Sequence, residues 1–344
     1  MMPMSGPHAT GESVRSHPAR SVGGARTGRM SAPGSAEVRC DLNIRGGLAA
    51  ADGRCPRRDQ LRYVATVPDP SDAPGDATPT DVDGPLAWRE QGAGDAVLFL
   101  HGLGGSRTSW EPQLARLSDA FRCIAWDMPG YGASAPVEVL NFTAIADAVA
   151  RLLDAVAVER AHLVGESFGG MQAIHAALRH PDRVDRLVLA NTSPAFGLDG
   201  TDPDMWRTAR LAPLDAGLTP ADIAEDVLTA VAGSDLGPDL LAMRVAGFAR
   251  IPADALRAAV ECLPSHNVLD RLAEIAAPAL VIAGELDAET PVAYSRILAH
   301  RLPNAELVVL NSVGHLAVSE ASRAFNGLVR RFLVPEALHH ADRK

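Results

Sequence analysis

The stretch His162–Gln172 reads "HLVGESFGGMQ". An apolar run leads into Gly165, a single hydroxyl follows at Ser167, and Gly169 and Gly170 lead into a helix-compatible segment. Strand, tight turn and helix in that order form the setting in which a serine between two glycines projects its hydroxyl from a strained turn. The N–H of Phe168 would then open the helix and face the same space, ready for a developing oxyanion. The same letters also fit an ordinary Gly-Ser turn, so the rest of the chain must decide.

Similar apolar runs recur on both sides of this one. "AVLFLHG" (Ala96–Gly102), "CIAWDMPGYG", "VDRLVLANTS", "APALVIAGELD" and "AELVVLNSVGH" read as strands buried on both faces. Between them lie helical patterns: "FTAIADAVARLLDAV", with Thr143 as N-cap, "GMQAIHAALRH", "PVAYSRILAHRL" and "ASRAFNGLVRRFL". The alternation predicts an α/β fold with a mostly parallel, doubly wound sheet and helices on both faces. From about 196 to 270 the strand pattern stops and four short helical pieces follow. An insertion there would cover the carboxyl ends of the strands, where open α/β sheets bind ligands, so it reads as a helical cap. Residues 1–84 are rich in Gly, Pro, Ser, Ala and Arg and read as a disordered N-terminal extension. The folded domain is placed at 85–334 and a C-terminal tail at 335–344.

Composition narrows the function. The net charge of −10 argues against a nucleic-acid binder. Lys344 is the only lysine, which removes Schiff-base chemistry and a Walker-type phosphate loop. The cysteines, Cys40, Cys55, Cys123 and Cys262, form no CxxC pair, so neither a metal site nor a disulfide framework is expected. No run of about 18 uninterrupted apolar residues is present, so no membrane span is expected. The N-terminus has no apolar core of a secretory signal, and a cytoplasmic location is the expectation.

A serine hydroxyl needs a base, and the base needs an orienting acid. His315 lies in a loop after one predicted strand and Asp287 just beyond another, with Glu285 and Glu289 as nearby rivals. Taken singly, each also fits a surface loop histidine or a helix-cap aspartate. Their conjunction is informative: serine, acid and histidine follow in the chain order of a nucleophile-elbow hydrolase. "LFLHGLGGSRTSW" adds a glycine-rich loop whose N–H at Leu103 would be a second oxyanion donor. His101 in that loop reads as a brace, and Asp127 in "DMPGYGAS" reads as structural.

With "HGLGG", "DMPGYGAS", "GESFGG", "GELDAETP" and "GH" in place, residues 86–334 resemble the α/β-hydrolase-fold serine hydrolases. The resemblance implies Ser167 as nucleophile, His315 as base, Asp287 as acid, Leu103 and Phe168 as oxyanion donors, and no metal or organic cofactor. "VLANTSPAFG", Trp206 and Leu316 after the histidine are similar to 3-oxoadipate enol-lactonases. The expectation is a hydrolase of a small carboxylic ester or lactone, with a C–C bond hydrolase of a ring-cleavage dione or a non-enzymatic ligand receptor as alternatives. Trp110, Met171, Trp206 and Phe248, together with Phe168, Phe196, Met205 and Met243, are expected to line the pocket. Among Arg207, Arg210, Arg244 and Arg250, one facing inward would favour a carboxylate-bearing substrate. The expected partner is a small-molecule substrate, with no nucleic acid and no membrane. Assembly as a homodimer is left open.

Overall fold

Every residue of β4 (Ala96–Leu100), β6 (Ala161–Glu166) and β8 (Ala279–Gly284) is buried, so these strands show a continuous apolar run rather than an alternation. They form the middle of a nine-stranded sheet in a computed structural model that describes the backbone of residues 61–64 and all of residues 78–334. The other strands are β1 (Leu61–Val64), β2 (Thr80–Val82), β3 (Ala87–Gln91), β5 (Arg122–Asp127), β7 (Val184–Ala190) and β9 (Ala305–Leu310). Their order is β1-β9-β8-β7-β6-β4-β5-β3-β2. The β2–β3 and β3–β5 pairs are antiparallel and the rest parallel.

The helices are α1 (Glu111–Leu117), α2 (Phe142–Ala155), α3 (Phe168–Arg179), α4 (Pro203–Asp215), α5 (Pro220–Val231), α6 (Pro238–Ala249), α7 (Ala253–Cys262), α8 (Val292–Arg301), α9 (Ala317–Glu320) and α10 (Ser322–Leu333). Successive side chains of a strand point to opposite faces. Val97 and Phe99 therefore pack with Leu114 of α1 and Phe325 of α10, while Leu98 and Leu100 join Ile145 of α2 and Ile174 of α3. Each buried Val, Leu or Phe side chain in these layers contributes about 1.5–3 kcal/mol of transfer free energy. The cap of α2 differs from the sequence expectation. Asn141, not Thr143, sits in extended backbone and accepts the N–H of Ala144 at 2.8 Å.

The reading of 1–84 as a tail is corrected at two places. Leu61–Val64 pairs in parallel with β9 at one sheet edge, and Thr80–Val82 pairs antiparallel with β3 at the other. A sheet edge holds a short segment by main-chain hydrogen bonds, which leave no apolar periodicity to read. The rest of that segment up to 77, and 335–344, fall outside the described residues.

The chain passes from β4 to β5 on one side, then crosses through α2 to β6 on the other side of β4. Strand order therefore reverses at β4, and the loops after β4 and β6 diverge to leave a crevice at their carboxyl ends. The four helices α4–α7 occupy the connection from β7 to β8, above that crevice. No helix among the described residues is long and apolar enough to cross a membrane.

Candidate active site

Ser167 follows β6 in a conformation that side chains rarely adopt, with φ 55° and ψ −120°. Its main chain is fixed on three sides. The N–H donates to the Ala190 carbonyl at 2.9 Å, and the carbonyl accepts from Gly170 N at 2.9 Å and from the Thr192 hydroxyl at 2.7 Å. The flanking glycines have a packing reason. A Cβ at Gly165 would lie 2.3 Å from the Gly169 carbonyl oxygen, and one at Gly169 would lie 1.8 Å from the Leu100 carbonyl oxygen. The elbow closes only because β6, α3 and the end of β4 approach backbone to backbone. The strain at Ser167 is held by the surrounding structure, as at other functional turns.

Three residues far apart in the chain meet at that turn. His315 Nε2 is 2.8 Å from Ser167 Oγ, and His315 Nδ1 is 3.0 Å from both carboxylate oxygens of Asp287. With Nδ1–H donating to the carboxylate, Nε2 is left as the acceptor for the serine hydroxyl. Asp287 is itself fixed: Oδ1 accepts the N–H groups of Glu289 and Thr290, each at 2.9 Å, and Oδ2 accepts Thr290 Oγ1 at 2.7 Å and Asn191 Nδ2 at 2.8 Å. Burial pushes the Asp287 carboxyl up, but His315 and these donors outweigh it and hold the group below its ordinary value. Burial pulls His315 down, and the Asp287 carboxylate outweighs that, leaving the imidazole above its ordinary value. Glu285 turns away and accepts the Ser312 N–H.

Asn191 was not visible as a site residue from sequence. It has φ 46° and donates both to Asp287 and to the carbonyl of Gly314, the residue before His315, at 2.9 Å. The only sequence hint was its place directly after a buried strand.

The loop after β4 covers the serine. A Cβ at Gly102 would stand 3.8 Å from Ser167 Oγ, and Gly105 N–H closes a turn onto the Gly102 carbonyl at 3.0 Å. Leu103, inside this turn, has its carbonyl held by the Tyr131 hydroxyl at 3.0 Å. His101 braces the loop: Nε2 accepts the Met128 N–H at 3.1 Å and Nδ1–H donates to the Gly102 carbonyl at 2.9 Å. Phe168 is the first residue of α3, so its N–H has no partner within the helix. Asp127 accepts the N–H groups of Arg107 and Ala133, a structural use. Above Ser167 and His315 lies a cavity of ≈ 360 Å³ between the sheet and the cap.

A family profile described as the alpha/beta hydrolase fold matches residues 95–322. The chain belongs to that family. This hydrolase is 36% identical over 249 residues to the "Putative carbamate hydrolase RutD" of Caulobacter sp. strain K31, covering 70% of this chain and 91% of that one. It is 30% identical over 251 residues to the pimeloyl-acyl-carrier-protein methyl ester esterase of Vibrio atlanticus strain LGP32, covering 70% and 95%. The solved enol-lactonase from Burkholderia xenovorans LB400 superposes with a TM-score of 0.66 at 28% identity, covering 72% of this chain and 96% of that one.

The cavity of the hydrolase takes some of the expected side chains and refuses others. Met171, Phe196, Trp206 and Phe248 line it. Trp110 does not: it is fully buried on the opposite face of the sheet, with its ring 5.1 Å from that of Phe99. The Phe168 side chain also turns away, edge-on to Phe142 in the α2–α3 layer. Met205 is 74% exposed on α4, and Met243 lies outside the lining. Helical periodicity shows that a cap residue has an inner or outer face, but not which face the tertiary packing turns inward.

The four cap arginines separate in the same way. Arg207 pairs with Asp204 and Glu261 at the surface, and Arg250 reaches Thr108 at 3.2 Å. Arg210 lines the cavity, paired with Glu289 at 2.6 Å. Arg244 faces inward and is buried, with Nη2 2.9 Å from Glu166 Oε2. Glu166 is the residue just before Ser167, so this ion pair ties cap helix α6 to the elbow. Both inward charges are thereby met within the protein. Among the described residues no group of three or more His, Cys, Asp or Glu side chains has an arrangement that could hold a metal ion.

Proposed function

We propose that the protein is a serine hydrolase that cleaves a small carboxylic ester or lactone through an acyl-enzyme on Ser167. The observation that carries this is the continuous relay from Asp287 through His315 to Ser167 Oγ, opening at a positive-φ turn into the floor of a ≈ 360 Å³ cavity. His315 Nε2 takes the hydroxyl proton as Oγ bonds to the substrate carbonyl carbon. The carbonyl oxygen becomes an oxyanion against the N–H groups of Leu103 and Phe168. Collapse breaks the bond to the alkoxy group, which leaves with the proton from His315. Water, deprotonated by the same imidazole, then releases the acid and restores Ser167. For a lactone the leaving alkoxide stays tethered and the product is a single hydroxy acid.

The cavity favours small substrates with apolar bodies. Apart from the relay and the ion pairs its walls are largely apolar, with Ile223, Val227 and Leu228 from α5 facing Phe248 and Trp206. The methyl ester esterase and the enol-lactonase among the relatives bear names for this kind of bond cleavage.

The test is hydrolysis of short-chain p-nitrophenyl esters and small lactones by wild type and Ser167→Ala prepared together. The expected loss in the variant is at least about 100-fold in kcat/KM, a floor well inside the roughly 10⁶-fold loss that follows removal of a nucleophile from a relay that acts as a unit. Equal rates in the two proteins would refute the assignment.

A further inference from the structure

We propose that Glu320 is a positioning residue that fixes the His315 loop and clamps it to the cap. The proposal rests on His315 acting as the base. Glu320 ends the short helix α9, five residues after His315, and its carboxylate collects four donors. Oε2 accepts Gly314 N–H at 2.8 Å, Gly233 N–H at 3.1 Å and the Ser234 hydroxyl at 2.8 Å, and Oε1 accepts Leu316 N–H at 2.9 Å. Gly314 and Leu316 are the two neighbours of His315. Gly233 and Ser234 form the turn between cap helices α5 and α6. One carboxylate therefore holds the peptide on each side of the base and the overlying cap turn.

Two further contacts make the junction tight. The His315 N–H itself donates to the Val231 carbonyl at the end of α5, at 3.2 Å. The cap turn lies so close that a Cβ at Gly233 would stand 2.6 Å from Gly314 Cα and 2.7 Å from Gly314 N. The N–H groups around His315 thus have acceptors supplied by the cap and by Glu320. The position of the imidazole above Ser167 depends on the seat of the α5–α6 turn. A substrate that displaces the cap would shift the base, which ties pocket occupancy to catalytic geometry.

The experiment compares wild type, Ser167→Ala, Glu320→Ala, Glu320→Gln and Gly233→Ala in p-nitrophenyl acetate hydrolysis, with a thermal melt of each. Glu320→Ala is expected to lose about 100-fold in kcat, the scale attached to a misplacement on the order of 1 Å, with KM changed less than about threefold. Glu320→Gln should recover about tenfold of that loss, because its carbonyl oxygen still accepts while its NH2 does not. Gly233→Ala, at an exposed turn outside the relay, should lose about tenfold in kcat by wedging the turn off Gly314. A folded Glu320→Ala with kcat within about twofold of wild type, or with the loss confined to KM, overturns the proposal. If Glu320→Ala does not fold, Gly233→Ala decides: a kcat loss supports the clamp and a wild-type kcat overturns it. An inactive Ser167→Ala beside a fully active Glu320→Ala removes the positioning role alone. An active Ser167→Ala removes the base assignment beneath it.

Discussion

Glu166→Gln isolates the buried charge pair beneath the cap. The two side chains are 2% and 3% exposed, so solvent screens them little. At 2.9 Å and an effective dielectric of about 20, their gross attraction is about 6 kcal/mol. Removing one partner of such a pair leaves the other charge buried and unpaired, at a net cost of about 3–5 kcal/mol. The glutamine carbonyl still accepts one Arg244 hydrogen bond, so the lower end, about 3 kcal/mol, is expected. For a domain of this size each kcal/mol lowers the melting temperature by about 2–4 °C, which gives a fall of roughly 6–12 °C. Because Arg244 is the stranded charge, the double variant Glu166→Gln, Arg244→Met should regain most of that loss. The change also reaches His315. Glu166 is one of the negative charges holding His315 above its ordinary value, so its removal should move the acid limb of kcat/KM to lower pH. Thermal melts and a pH–rate profile read both effects. A melting temperature within about 2 °C of wild type, or a double variant no more stable than the single, would refute the coupling of cap to elbow.

Wild-type kcat/KM should itself fall as pH drops through the raised His315 value, with the acid limb above 6.5; only the neutral imidazole accepts the serine proton, and a limb below 6.5 would contradict the Asp287 contact. Asn191→Ala removes donors to Asp287 and to the Gly314 carbonyl; a hydrogen bond to a charged group is worth about 1.5–3 kcal/mol, so kcat should fall about 10- to 100-fold, read in ester hydrolysis with KM as the control. His175 and His266 lie 3.1 Å apart beneath the start of the cap, and burial pushes them down to about 3 and about 4. Both are neutral when folded, whereas the unfolded chain takes up their protons near 6.5, so the stability they contribute holds above 6.5 and is lost as pH falls toward 4 and then 3. The slope of melting temperature against pH across that window should shrink in His266→Asn, and an unchanged slope would count against the pair as its source.

The tight strand–turn–helix at Ser167 was legible in the sequence because its requirements are local. An apolar run, Gly165, Ser167 and Gly169 encode the close approach of β6, α3 and β4 within a few residues. Strand burial, the helical insertion and the order of Ser167, Asp287 and His315 were legible for the same reason: hydrophobic period and strand-end position survive in one dimension. Pocket side chains were not. Met171, Trp206 and Phe248 reach the cavity while Trp110 lies behind the sheet, and apolar letters at helical spacing read the same in both places. The edge strands Leu61–Val64 and Thr80–Val82 left no pattern because backbone bonds hold them.

The sequence by itself therefore determined the buried central strands, the turn at Ser167 and the strand-end positions of Asp287 and His315, since each depends on short-range spacing and on which side chains avoid water. Tertiary structure alone decided that Asn191 steadies Asp287 across 96 residues, that Arg244 meets Glu166 across 78, and that Glu320 binds both sides of His315 and the cap turn 87 residues away. These are hydrogen bonds between polar groups brought together by packing. A polar residue carries no period that names its partner, so only the folded chain fixes the pairing.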